Sequence, residues 1–215
     1  NLYASQGRFD QAEAQHRRAI TDTYGSPIAH INLGNFLRSR IRFDEALAQI
    51  QQAIAQNPGL AAGYVALGNG YVNQGRWEEA IAAYEQAIAA QPGQTVAYLS
   101  LADTLQRLRR YDASEQALQQ VLELEPSNLA AHLALGSLDE SRGQMESALD
   151  HYRVAVKINP SSGEAWTVLG DALLTSGEWD EAMASYEQAV ESAPAYASVY
   201  LSMGTAQKQR GQYKE

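Results

Sequence analysis

The sequence contains no cysteine. That absence rules out disulfide staples, thiolate metal ligands and cysteine nucleophiles together, and it fits a reducing, cytoplasmic setting. No apolar run approaches the roughly 20 residues of a bilayer-spanning helix, so we expect a soluble chain with no membrane span. No signal-peptide pattern is visible, and residue 1 is Asn. Basic charge is scarce: 16 Lys and Arg stand against 25 Asp and Glu, a net charge of −9. A nucleic-acid surface needs a basic patch or stripe, so that partner class is not expected. The deficit is uneven, at −1 over residues 1–107 and −8 over 108–215. Acidic excess commonly just solvates a surface; the sharper reading is a basic partner toward the C-terminal half. Catalytic signatures are missing too: there is no G-x-S-x-G, no phosphate-binding glycine loop and no H-E-x-x-H.

What the sequence has instead is a period. Prolines fall at Pro58, Pro92, Pro126, Pro160 and Pro194, each 34 residues after the last. Gly34, Gly68, Gly136, Gly170 and Gly204 keep the same step, with Ala102 at the remaining place. A fixed period of this length marks stacked repeats, each stable through its neighbours rather than through one centre. Within 61–94, Tyr64, Val65, Leu67, Gly68, Tyr71 and Val72 recur at helical spacing. Gly75 then ends that helix. Ala80, Ile81, Tyr84, Ala87 and Ile88 mark a second helix, which starts near Trp77 and stops at Pro92-Gly93. Full repeats are 27–60, 61–94, 95–128, 129–162 and 163–196, with partial repeats at 1–26 and 197–215. We expect an excerpt of a longer array. First helices should lie near 27–40, 61–74, 95–108, 129–142 and 163–176, and second helices near 44–57, 78–91, 112–125, 146–159 and 180–193.

Some positions depart from the pattern. Ile41 and Arg109 stand where Gly75, Gly143 and Gly177 stand. If that place needs a positive φ, each costs about 1–2 kcal/mol. Ser114 and Val121 replace alanines in 95–128, which should loosen that repeat. Ser26-Pro27 reads as an N-cap and first turn. Phe9, Phe43, Trp77, Tyr111, Met145, Trp179 and Tyr213 share one register place and read as inter-helix packing. Glu78-Glu79 and Asp180-Glu181 read as first-turn carboxylates favoured by the helix dipole. His30 and His132 take the place of Tyr64, His16 takes that of Tyr84, and His151 precedes an aromatic. We place the histidines in separate repeats with no converging ligand set, so no metal, cofactor or catalytic site is expected.

Tyr64, Leu67, Gly68, Tyr71, Ala80, Tyr84, Ala87 and Pro92 fill eight places of a W-x2-L-G-x2-Y…A…Y/F…A…P unit. Trp166, Leu169, Gly170, Ala182, Tyr186, Ala189 and Pro194 fill seven in another, with Leu173 at the Tyr place. In this the chain resembles the tetratricopeptide repeat (TPR) family over essentially its whole length. The resemblance implies an all-α, right-handed superhelical solenoid of antiparallel helix pairs. It also implies a non-enzymatic scaffold that binds a peptide or helical segment of another protein in a concave groove lined by first helices.

Mapped onto that lining, the candidate peptide-binding residues are Asn32, Asn35 and Arg38, then Val65, Asn69, Val72 and Asn73. Val96, Leu99, Asp103 and Arg107 follow, then Leu133, and finally Val168 and Asp171. The apolar members are candidate exposed anchors. The asparagines can donate to and accept from a peptide backbone. Two subtypes of the family fit poorly. Receptors of chaperone tails need basic residues where Ile31, Val96 and Ser100 stand, although Asn35 matches. Sugar-transferase superhelices carry an Asn ladder that Asn32 starts, but Ala66, Ser100, Ala134, Val168 and Ser202 do not continue it. The recognition arm of a larger enzyme or sensor remains an alternative, as does a self-assembling module. Apolar faces at the two ends predict weak end-to-end self-association.

Overall fold

The computed structural model describes residues 8–211, and among them it contains helices and no strand. The helices are α1 (Phe9–Asp22), α2 (Pro27–Ser39), α3 (Phe43–Gln56), α4 (Ala61–Asn73), α5 (Trp77–Ala90) and α6 (Thr95–Arg107). They continue with α7 (Tyr111–Leu124), α8 (Leu129–Ser141), α9 (Met145–Ile158), α10 (Gly163–Thr175), α11 (Trp179–Ser192) and α12 (Ala197–Gln209). Second helices begin one residue before their expected starts, because Phe43, Trp77, Met145 and Trp179 sit inside the first turn. Each of those starts is closed by a bond such as Ala80 N to Arg76 O, 3.0 Å. None of these helices is long and apolar enough to cross a membrane.

The chain divides into two compact units, Asn1–Ala117 and Leu118–Glu215, with the division inside α7. In the first unit α2 pairs with α3 and α4 with α5, while the first helices α2, α4 and α6 also touch in sequence. In the second unit α8 pairs with α9 and α10 with α11, and α12 packs on both α10 and α11. The pairing is antiparallel: Asp139 meets Ser147 across α8 and α9, whereas Gly136, earlier in α8, meets Tyr152, later in α9.

Each pair is set by a glycine notch. A Cβ on Gly68 would lie 2.4 Å from Tyr84 Cε1, one on Gly136 2.3 Å from Tyr152 Cε1, and one on Gly170 2.5 Å from Tyr186 Cε1. At Gly34 the occupant is Ile50, at 2.7 Å. The three tyrosines are no more than 1% exposed. Ring and backbone therefore meet directly, and the helices approach more closely than any side chain at the glycine would allow.

The bends inside the pairs pass through left-handed residues. Gly75, Gly143, Gly177 and Gly211 have φ of 71°, 76°, 82° and 71°, and Ile41 and Arg109 adopt 62° and 57° at the same places. The bond pattern is shared: Gly75 N to Val72 O and Arg76 N to Tyr71 O, against Ile41 N to Arg38 O and Arg42 N to Leu37 O, all 3.0 Å. Satisfying those helix-end carbonyls holds Ile41 and Arg109 in a conformation that L-residues disfavour.

One expectation needs correction: Ser26 makes no side-chain capping bond, although Pro27 does open α2. In the repeat 95–128 the residues that replace the alanines are enclosed. Ser114 and Val121 are fully buried, and the Ser114 hydroxyl donates to Ala102 O at 2.9 Å, which satisfies the added polar atom.

Candidate functional site

In the first unit the touching helices α2, α4 and α6 place Asn32, Asn35, Arg38, Asn69, Val72, Asn73, Val96, Leu99, Asp103 and Arg107 outside the core, exposed or half-buried. Three polar contacts order this face. The buried Tyr84 hydroxyl donates to Asn69 Oδ1 at 2.7 Å. Arg38 Nη1 reaches from α2 to α4 and donates to Asn73 Oδ1 at 3.1 Å. Arg107 Nε donates to Asp103 at 2.9 Å within α6. The Arg38 Nε atom is buried without a hydrogen-bond partner.

The apolar anchors divide. Val96 is 53% exposed, and Val72 and Leu99 are half-buried. Val65 is only 8% exposed, so it is a packing residue and not the exposed anchor that its position suggested. Ile31, Ala66 and Thr167, at other places of the same lining, are buried too.

In the second unit Asp171 is exposed, while Leu133 and Val168 are half-buried against the core around Leu169 and Tyr186. Tyr186 OH donates to Asp171 Oδ1 at 2.7 Å, repeating the Tyr84–Asn69 contact with a carboxylate in place of the amide. Where the same register place holds the short Ser137, the Tyr152 hydroxyl donates instead to Glu140 Oε2, one turn on, at 2.6 Å. Glu140 belongs to the same first-helix lining but was not among the candidate peptide-binding residues. Its signal was a polar residue 12 to 15 places before a notch tyrosine. Burial pushes Tyr84 up to about 12. Burial first, and then the neighbouring carboxylate, pushes Tyr152 and Tyr186 well above the ordinary phenol value. All three rings therefore act as neutral donors beneath the face.

The histidines are not all apart. His132 and His151 share the repeat 129–162, with Nδ1 atoms 3.3 Å apart. His151 Nε2 lies 3.8 Å from Asp139 Oδ2, and Ser147 donates to that same oxygen at 2.6 Å. The serine hydroxyl donates to the carboxylate and not to a histidine nitrogen. No group of three or more His, Cys, Asp or Glu that could hold a metal ion occurs among the described residues. The aromatic place in the first turn of α8, α10 and α12 has its own structural use. Trp166 Nε1 donates to Pro160 O at 2.9 Å and Tyr200 OH to Pro194 O at 3.1 Å. His132 Nε2 lies 3.3 Å from Pro126 O.

Among curated proteins, none matches this chain. Its fold is shared by a thermophilic TPR protein from Thermus thermophilus: 21% identity, 84% of this chain, 98% of that one, TM-score 0.71. It is shared as well by a tetratricopeptide repeat protein from Parabacteroides merdae: 19% identity, 98% and 83% coverage, TM-score 0.76. A third likeness is YrrB, a TPR protein with an unusual peptide-binding site: 22% identity, 88% and 97% coverage, TM-score 0.59. At these identities the likeness is one of fold. Models described as tetratricopeptide repeat match residues 28–93 and 99–163, and one described as TPR repeat matches 170–211. With a 34-residue period, glycine notches and helix pairs in every matched stretch, the chain belongs to the tetratricopeptide repeat family.

Proposed function

We propose that this chain is a non-enzymatic interaction scaffold that holds a peptide or helical segment of a partner protein along its first-helix faces. The observation that carries this reading is that face acceptors are pinned from below by buried tyrosines, Asn69 in the first unit and Glu140 and Asp171 in the second. A pinned side chain has already lost its rotamer freedom, so a partner that uses it loses less entropy on binding. In the first unit Asn32, Asn35 and Asn73 add amide donors and acceptors for a peptide backbone, and Val72, Val96 and Leu99 offer apolar contact. In the second, Glu140 and Asp171 favour a basic segment, with Leu133 and Val168 beside them. YrrB, a structural neighbour, carries a peptide-binding site, which supports the same use of this fold here.

The test is capture of partner proteins on the chain, identified by mass spectrometry, followed by affinity measurement on face variants. Leu99→Glu and Asn69→Ala should each weaken binding at least tenfold while thermal melting stays within a few degrees of wild type. Unchanged affinity in both would move the binding surface elsewhere. Val65→Glu is the contrasting case: it should unfold the repeat and not merely blunt binding.

A further inference from the structure

Two histidines of the second unit converge in a way that the repeat pattern does not require. His132 stands in the first turn of α8 and His151 in the middle of α9, and their Nδ1 atoms are 3.3 Å apart. The ring centroids are 5.5 Å apart and the planes tilt by 43°, so the rings meet by their nitrogens and not by parallel stacking. Counted in steps of 34, the same two places hold Tyr64 and Ala83, Tyr98 and Ala117, and Trp166 and Ser185. His30 and Gln49 hold them in the repeat 27–60, where His30 Nδ1 and Gln49 Oε1 form a hydrogen bond of 2.9 Å. An amide oxygen accepts a ring proton. A second imidazole nitrogen can instead share a cation.

The other nitrogen of each ring faces an acceptor. His132 Nε2 lies 3.3 Å from Pro126 O, and His151 Nε2 lies 3.8 Å from Asp139 Oδ2. Asp139 is 7% exposed, and the Ser147 hydroxyl holds it at 2.6 Å. A ring N–H turned toward a backbone carbonyl or a carboxylate is the arrangement that orients a metal-bound histidine and fixes its tautomer. With the ring protons on Nε2, the two Nδ1 lone pairs turn toward one another and repel. A cation held by both converts that repulsion into attraction. The spacing fits: two nitrogens each about 2.0–2.1 Å from a tetrahedral ion stand about 3.3 Å apart.

We propose that His132 and His151 bind a divalent transition-metal ion of the zinc, copper and nickel class through their Nδ1 atoms, with water completing the coordination. Imidazole suits these ions, whereas magnesium and calcium take oxygen ligands. Both rings are half-buried, so solvent and the ion reach the pair. Two protein ligands hold an ion less tightly than the four of a structural zinc site, so binding falls in the micromolar range. The ion ties the start of α8 to the middle of α9 within one repeat. This site does not rest on the partner-binding reading.

Calorimetric titration with Zn2+ in excess magnesium, which fills oxygen-only sites, tests it. Wild type should bind one Zn2+ per chain. His132→Tyr and His151→Gln should each weaken binding at least tenfold, whereas His30→Gln should not. The first two substitutions install residues that this chain already carries at the equivalent places, Tyr64 and Gln49, so the helix pair should fold as before, which circular dichroism checks. An ion that binds the folded chain stabilises it, so Zn2+ should raise the melting temperature of wild type and of neither variant. Imidazole nitrogen-15 shifts should move at Nδ1 of both rings. Absence of wild-type binding at millimolar Zn2+ would mean a hydrogen-bonded pair only and overturn the proposal. Full-strength binding in both variants would also overturn it, as would shifts confined to Nε2.

Discussion

Gly68 and Gly204 hold one register place and should answer the same substitution in opposite ways. Glycine inside a helix costs roughly 0.8–1 kcal/mol relative to alanine, so Gly204→Ala, with open space around its Cβ, should raise the melting temperature slightly. At Gly68 the new methyl would collide with a Tyr84 ring that is 1% exposed. Gly68→Leu should then cost about 1–3 kcal/mol or more through overpacking, read from denaturant midpoints. The left-handed bends give a second residue-scale prediction. Ile41→Gly and Arg109→Gly each relieve the backbone of a positive φ, worth about 1–2 kcal/mol, less the roughly 0.4–1 kcal/mol that glycine adds to unfolded-chain entropy. Each should stabilise by up to about 1.6 kcal/mol. The tyrosines give a pH dependence with a definite sign. Tyr84 sits near 12 in the folded chain because it is buried, above the unfolded phenol value of about 10. Its contribution is complete below about pH 10 and is lost as pH climbs through the folded value. A titration of melting temperature should show an alkaline fall that Tyr84→Phe makes shallower.

At the scale of the helix, capping separates repeats that otherwise look alike. Asn128 Oδ1 accepts from Ala131 N at 2.9 Å and Ser162 Oγ from Ala165 N at 3.1 Å, at the starts of α8 and α10. The same place before α6 holds Gln94, with similar backbone angles and a buried side-chain oxygen that has no partner. Gln94→Asn shortens that side chain to capping length and removes the unsatisfied atom. It should stabilise by about 1 kcal/mol, and Asn128→Ala should cost about as much. Helix identity and order were legible in the sequence because the notch and the bend each admit few residue types, and those types recur every 34 residues. The candidate binding face was only partly legible. Ile31, Val65, Leu99 and Leu201 share one place and one chemical class, yet the first two are buried, Leu99 is half-buried and Leu201 is exposed. Burial there depends on what the following first helix presents, which spacing along one helix does not encode. The tyrosine–acceptor pairs were missed for the same reason: donor and acceptor lie on different helices, and only their packing brings them together.

For the molecule as a whole, stability built from neighbouring pairs should fail locally. Gly68→Leu should raise amide exchange in α4, α5 and the helices packed on them, while α9, α10 and α11 keep wild-type protection. Hydrogen exchange read by mass spectrometry distinguishes this from one global opening, in which all protected amides would lose protection together. The pinned tyrosines carry a last consequence. Each phenol is bonded to a side chain that the proposed binding mode would use, and its ultraviolet band responds to the strength of that bond. The chain thus holds its own chromophores under the faces at Asn69, Glu140 and Asp171. Difference absorbance near the tyrosine maximum should report occupancy without any label, and replacing the phenols one at a time with phenylalanine would show which stretch of the scaffold a given partner covers.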